Sequence, residues 1–317
     1  MKKLALLLAA LSVASVSYAK EVMPEAAPVV EEAPVVEQEV VEVKAAPVLR
    51  VTSVGQELVV EDTSSQGTKN DANIGEAVHL KNMVGLALGD SWTFDLMARK
   101  TWEASTDDAH TDGEKWDGMR SAGHRIDLQA TRHFENFSLG LRWRGEKNKD
   151  AIFLPVSYNY GMVSGWFDPA YYFVNESKGQ DYFYLEAEPV VLSYGPVQLA
   201  YYFEGYKYAG DGCVVEGLKS DYAHQARLRG TVYSNDTFSV GLEYRYQFAQ
   251  DVELLNGKDG VENNRHIGVL SGSYNVTDNL TLASYYQYEF NKYEQHEGKV
   301  MDDDYYGEFG LGWSYNF

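Results

Sequence analysis

The chain has 317 residues, 27 basic and 47 acidic side chains, and a single cysteine. That balance argues against a nucleic-acid partner, since neutralising phosphates takes clustered Lys and Arg, and one cysteine leaves no internal disulfide. Mean hydropathy is −0.38, and no stretch after residue 19 approaches the length of a membrane-spanning apolar helix, yet 14% of residues are aromatic, with 24 Tyr and 6 Trp.

Taken from the start, the first nineteen residues, MKKLALLLAALSVASVSYA, have the parts of an export signal. Lys2 and Lys3 precede a short apolar run, Leu4 to Ala14, and Ser17-Tyr18-Ala19 supplies the cleavage site after Ala19. Loss of Lys2 and Lys3 leaves 25 basic side chains against 47 acidic ones, a net charge of −22. Residues 20–46 are a second region. APVVE occurs at Ala27–Glu31 and again at Ala33–Glu37, with Pro24, Pro28 and Pro34 and neither Gly nor an aromatic residue. Such an acidic leader cannot bury a core and is expected to be disordered or extended in the periplasm.

From residue 47 onward the pattern changes to a period of two. SWTFDLMARKTW sets Trp92, Phe94 and Leu96 against Thr93, Asp95, Met97 and Arg99. FSLGLRWR sets Phe137, Leu139, Leu141 and Trp143 against Ser138, Gly140, Arg142 and Arg144. TFSVGLEYRYQF does the same from Phe238 to Phe248, and the last strand puts Phe309, Leu311, Trp313, Tyr315 and Phe317 on one face. Short turn sequences fall at Gly89-Asp90, Glu135-Asn136, Phe167–Pro169, Tyr194–Pro196, Ser234–Asp236 and Thr277–Asn279. Longer polar connections alternate with them near 61–73, 104–118, 145–150, 175–180, 209–220, 250–263 and 292–302.

These signals predict strands at 48–60, 74–88, 91–103, 119–133, 137–145, 151–164, 169–175, 181–193, 196–208, 221–233, 237–249, 264–276, 280–291 and 303–317. The fold class is therefore all-β: an antiparallel up-and-down transmembrane β-barrel of about 14 strands, with 12 or 16 still open, short periplasmic turns and longer extracellular loops. Backbone groups in lipid have no water to bond, so the sheet must close on itself.

A cleavable signal, a period-two final strand and the terminal aromatic triplet Trp313, Tyr315 and Phe317 together resemble Gram-negative outer-membrane porins. The resemblance implies that this strand is read by the barrel-assembly machinery. The strand number resembles the OmpG-like monomeric barrels, and KEVMP followed by an acidic Pro/Val-rich leader is similar to the fusobacterial major outer-membrane porin family. The chain is shorter than is usual in that last family.

In a barrel the polar face of each strand lines the lumen. The inward positions are Lys81, Asp95, Arg99, Glu103, Arg125, Asp127, Arg142, Arg144, Glu186, Glu188, Glu204, Arg227, Arg229, Glu243, Arg245, Glu289 and Glu308. So many ionisable groups call for a hydrated interior. Two basic patches, Arg125/Arg142/Arg144 and Arg227/Arg229/Arg245, alternate with acidic strips at Glu186/Glu188/Glu204 and Glu289/Glu308. Such walls facing each other across water would filter solutes by charge; ion pairs that stiffen the wall are the other reading. His110 among Asp107, Asp108 and Asp112 has the residue types of a dyad or cation site without a nucleophile–base context. The remaining histidines have no metal-ligand spacing. Cys213, in a predicted external loop, is expected to be a free or capped thiol. No enzyme activity, cofactor or metal is expected.

The expected function is passive diffusion of small hydrophilic solutes and ions across the outer membrane. The partners expected are outer-membrane lipids, the barrel-assembly machinery and the solutes, with cell-wall contact through the leader a further reading. A channel for anionic solutes such as acidic oligosaccharides, with the Arg rows as its track, and a barrel-anchored adhesin are the alternatives.

Overall fold

The computed structural model describes residues 48–64, 72–104, 119–175, 179–210, 217–294 and 303–317. The export signal, the leader, the Asp107–Asp117 loop with His110, and Cys213 lie outside the described residues.

Fifteen strands account for nearly all of the described chain: β1 Leu49–Ser64, β2 Ala72–Leu88, β3 Trp92–Ala104, β4 Met119–His133, β5 Phe137–Glu146, β6 Lys149–Phe153, β7 Val156–Tyr160, β8 Val163–Val174, β9 Tyr182–Tyr194, β10 Val197–Tyr208, β11 Leu218–Ser234, β12 Phe238–Leu254, β13 Asn263–Asn275, β14 Leu280–Tyr293 and β15 Asp304–Asn316. Apart from β6 and β7, each strand pairs antiparallel with its sequence neighbours, and β1 also pairs with β15, from Ser53 opposite Asn316 to Thr63 opposite Tyr306. The segments β6 and β7 lie end to end between β5 and β8, so the ring is a closed 14-strand barrel. Among the described residues no helix is long and apolar enough to cross a membrane.

The break between β6 and β7 has a local cause. Pro155 has no N–H to give the ladder, yet its carbonyl accepts from the Gly140 amide at 2.7 Å, and the Leu154 amide reaches the Pro169 carbonyl at 3.0 Å. This sector is also where the predicted strands go wrong. Phe167–Pro169 is not a turn but the middle of β8, with Pro169 opposite Leu185. The chain reverses instead at Gly161, whose φ of 75° suits a residue without a Cβ. The predicted strands 151–164 and 169–175 are therefore replaced by β6, β7 and β8. Close by, a bulge at Gly165 brings the β8 backbone against β9. A Cβ there would lie 2.7 Å from the Pro189 carbonyl oxygen, so only glycine fits.

The two faces are sorted. Leu139, Leu141, Leu199, Leu228, Leu242, Leu270 and Leu311 point outward and are about half exposed. Outward aromatic residues gather at two levels. Trp92, Phe137, Tyr194, Phe238, Tyr274 and Tyr315 lie near the short-turn end, and Phe173, Phe183, Phe203, Phe248, Tyr288 and Phe290 near the other. At roughly 3.4 Å per residue and a tilt of roughly 40°, the step from Phe238 to Phe248 on β12 covers about 26 Å, the height of a bilayer's apolar band. The outer face has a polar exception in that band. Gln56 donates to Asn82 at 2.9 Å across β1 and β2.

Candidate functional site: the inner face of the barrel

Inward-facing side chains from every strand form one continuous surface, and the register decides which of them meet. On β1 to β5 the row Glu57, Lys81, Arg99, Arg125 and Glu146 runs across five neighbouring strands at one level. Lys81 Nζ is 2.8 Å from Glu57 Oε2. Asp127 is shared by Arg125, whose Nε donates at 2.9 Å, and Arg144, whose Nε donates at 3.1 Å. Arg142 is paired with Asp168 of β8 at 2.5 Å, and its guanidinium lies 4.0 Å from the centre of the Phe153 ring. Arg144 sits 4.4 Å from that ring and donates to the Tyr172 hydroxyl at 2.8 Å. Asp95 faces inward opposite Gly85 and Gln129, and Glu103 opposite Ala77 and Arg120. Beside this row, His79 is held between Glu61, 2.7 Å from Nε2, and Thr101, 2.9 Å from Nδ1, all three buried.

The next sector is aromatic. Phe153, Tyr172, Tyr182 and Tyr184 pack together on the inner face with Ala151 and Ala170, and Tyr206 and Tyr208 lie against them. Tyr172 and Tyr182 stack with ring centres 4.5 Å apart. Behind these rings, Glu186 and Glu204 lie directly opposite each other on β9 and β10. Their hydrogen-bond donors are phenols. Tyr202 donates to Glu186 at 3.0 Å, Tyr184 to Glu186 at 2.9 Å and Tyr206 to Glu204 at 2.8 Å. Glu308 has the same kind of setting, accepting from Tyr285 and from Tyr306.

On β11 to β14 the ion pairs resume. Glu188, 2% exposed as a side chain, takes Arg227 at 3.0 Å and Arg229 at 2.8 Å. The Arg227 guanidinium also lies 3.4 Å from the centre of the Tyr202 ring. Arg245 pairs with Glu243 at 2.8 Å and Arg265 with Glu289 at 3.6 Å. Amide side chains complete the wall. Gln225 accepts from Arg227, and Asn263 donates to Asn291 at 2.9 Å.

By register Lys81, Arg99, Arg125 and Asp127 share one face of the sheet with Glu186, Glu204, Arg227 and Arg245. The predicted sorting into opposed basic and acidic walls does not hold. Glu188 of the acidic strip is in direct contact with the second basic patch, and Asp127 and Asp168 neutralise the first. On β15 the inward glycines are closely packed. A Cβ on Gly310 would sit 2.1 Å from the Tyr285 ring, which fills that place. The sequence reading missed the inward tyrosines, Arg265, Asp168 and the Glu61–His79–Thr101 group. Trp313, Tyr315 and Phe317 lie on the outer face or at its lower rim, all exposed. His224 and His266 also face outward, each 2.7 Å from a tyrosine hydroxyl, of Tyr201 and Tyr244. Among the described residues no three metal-ligating side chains cluster.

A closed antiparallel ring with an apolar outer band, two aromatic girdles and an ionisable interior is the architecture of a porin-like outer-membrane β-barrel. No protein-family model and no curated protein matches the sequence. Among solved structures the chain is similar to a bacterial polysaccharide outer membrane secretin, with a TM-score of 0.50 at 9% identity over 83% of this chain and 98% of that one. It is also similar to in-vitro folded OmpT, an outer membrane protein of Vibrio cholerae (0.46, 11%, 87% and 100%), and to an anion-selective porin from Comamonas acidovorans (0.43, 12%, 85% and 100%). At these identities the likeness concerns the fold alone.

Proposed function

We propose that this protein is an outer-membrane porin through which small hydrophilic solutes and ions diffuse passively. The observation that carries the reading is the inner face. A ring of fourteen strands encloses more space than wall side chains fill, and that wall bears charged and amide groups on every strand. Where these groups lack a partner in the wall, as at Arg99, water or a polar solute must meet them. We place the barrel in the outer membrane on its apolar band and girdles, exported by the N-terminal signal and inserted by the barrel-assembly machinery. Kinship with OmpG-like monomeric barrels and the fusobacterial major porins rests on the strand number and the KEVMP leader.

Three carboxylates, Glu186, Glu204 and Glu308, have phenols rather than cations as hydrogen-bond partners among the described residues. Most inward arginines are neutralised by carboxylates. The reading is therefore a diffusion pore with a mild preference for cations, in place of a continuous arginine track for acidic polymers. Liposome swelling with a graded series of sugars, together with reversal potentials in planar bilayers under a KCl gradient, tests it. A folded protein that passes neither sugar nor ions defeats it.

A further inference from the structure

Cations on the inner wall have carboxylate partners almost without exception. Lys81, Arg125, Arg142, Arg144, Lys149, Arg227, Arg229, Arg245 and Arg265 each lie within salt-bridge distance of Asp or Glu. Among the described residues Arg99 is the exception within the wall; Arg50, inward by register opposite Ala87, also lacks one but lies exposed at the rim. The Arg99 guanidinium has neither a carboxylate partner nor a hydrogen-bond acceptor there, and its buried Nε donor is unmatched.

The position sharpens the anomaly. Arg99 stands on β3 directly between Lys81 of β2 and Arg125 of β4. Adjacent strands are about 4.8 Å apart, so three cationic stems are rooted within about 10 Å. Glu57 serves Lys81, and Asp127 is divided between Arg125 and Arg144. Glu146, at the end of the row, and Glu61, beside it, act on the Arg99 charge from a distance, but neither is within salt-bridge reach of its guanidinium. Protein chains rarely leave a guanidinium fork unmatched in a crowd of like charge, because five directed donors lose solvation with nothing in exchange. The same fork matches the two oxygens of a carboxylate or phosphate.

We propose that Arg99, with Arg125 beside it, is a discrete lumenal site for the oxyanion group of a solute, a carboxylate or a phosphate. The inference rests on the porin reading for how the solute arrives, but the site itself is a property of the wall. Within a lumen that favours cations, this patch on β2–β5 is a local inversion that retains anionic solutes long enough to interrupt the current.

The full-length protein in planar bilayers, with symmetric KCl and either citrate or inorganic phosphate added to one side, tests the site. Wild-type current falls saturably with each anion, citrate reporting carboxylates and phosphate the phosphoryl class. Arg99→Gln raises the half-blocking concentration at least tenfold. Arg99→Lys raises it far less, and Arg50→Gln, an exposed arginine on β1 remote from the row, leaves it unchanged. Equal block of wild type and Arg99→Gln, or no block of a conducting wild type, overturns the proposal. A folded protein without current defeats the porin reading instead. Calorimetric titration of citrate into the detergent-solubilised protein then decides the site: binding lost in Arg99→Gln sustains it, and no binding by wild type overturns it.

Discussion

Replacing Glu188 by Gln probes whether the inner wall is dry enough to make its ion pairs matter. Glu188 accepts three hydrogen bonds from two arginines, at 3.0 Å from Arg227 and at 3.0 and 2.8 Å from Arg229. Its side chain is 2% exposed and that of Arg227 1%. The substitution leaves the Arg227 charge buried with the Gln225 amide and the Tyr202 face as its remaining partners. Breaking a buried pair by removing one member costs about 3–5 kcal/mol. The low end applies, since the glutamine oxygen still accepts. About 3 kcal/mol is roughly a 150-fold change in the unfolding equilibrium. Reversible urea unfolding in lipid vesicles, followed by tryptophan fluorescence, reads it as a lower midpoint with an unchanged slope. Combining Glu188→Gln with Arg227→Gln should recover part of the loss, since the two residues are coupled. A loss below about 0.5 kcal/mol with no coupling would refute the reasoning, because that is the behaviour of a solvated surface pair.

Removing the Glu186 and Glu204 charges together (Glu186→Gln with Glu204→Gln) should lower the ratio of potassium to chloride permeability, read from the reversal potential in a KCl gradient; an unchanged ratio takes these residues out of the ion path. Gly310→Ala should destabilise the barrel by about 1–3 kcal/mol through overpacking against Tyr285, and the cost should shrink when Tyr285→Ala is added, as measured by the same urea titration. Leu141→Arg places a charge in the middle of the outer band of β5 and should cost about 2–4 kcal/mol of folding free energy in vesicles, whereas Asn159→Arg, on an exposed rim position of β7, should cost less, only the turn hydrogen bond its side chain accepts from the Gly161 amide.

How much of this was legible in the sequence follows from what period two encodes. It reports the face of each residue, so fourteen strands and the inward set could be read wherever one parity was apolar and the other polar, as in β5 and β12. It fails where both parities are aromatic. YFYLE on β9 and YYFEGYKY on β10 put Tyr182, Tyr184, Tyr202 and Tyr206 inside while Phe183, Tyr201 and Phe203 face out, and nothing in the alternation tells them apart. It fails again where proline lies within a strand, because Pro169 has the look of a turn while the barrel simply goes without its hydrogen bond. Pairing across strands was illegible for a different reason. Which carboxylate serves which arginine depends on register and on bulges, such as the shift between Ser164 and Trp166. Glu61, assigned to a loop, turned out to be the partner of His79 because β1 runs further than its pattern suggested.

The pairing of β1 with β15 has a kinetic meaning as well. Every other hairpin can form from neighbours as they are made, but this contact joins the two ends of the barrel sequence and carries the largest loop-closure cost of any pair. Until it forms, the sheet has two bare edges, each a template for another chain. Once it forms, no edge remains at all, and Asn316 is tied on both sides, its amide to the Asn279 carbonyl at 2.9 Å and its partner in register Ser53 across the seam. Opening the ring again means releasing a whole ladder in a solvent that offers its hydrogen bonds nothing. The contact with the largest loop-closure cost is thus also the one whose release would expose a whole ladder to lipid.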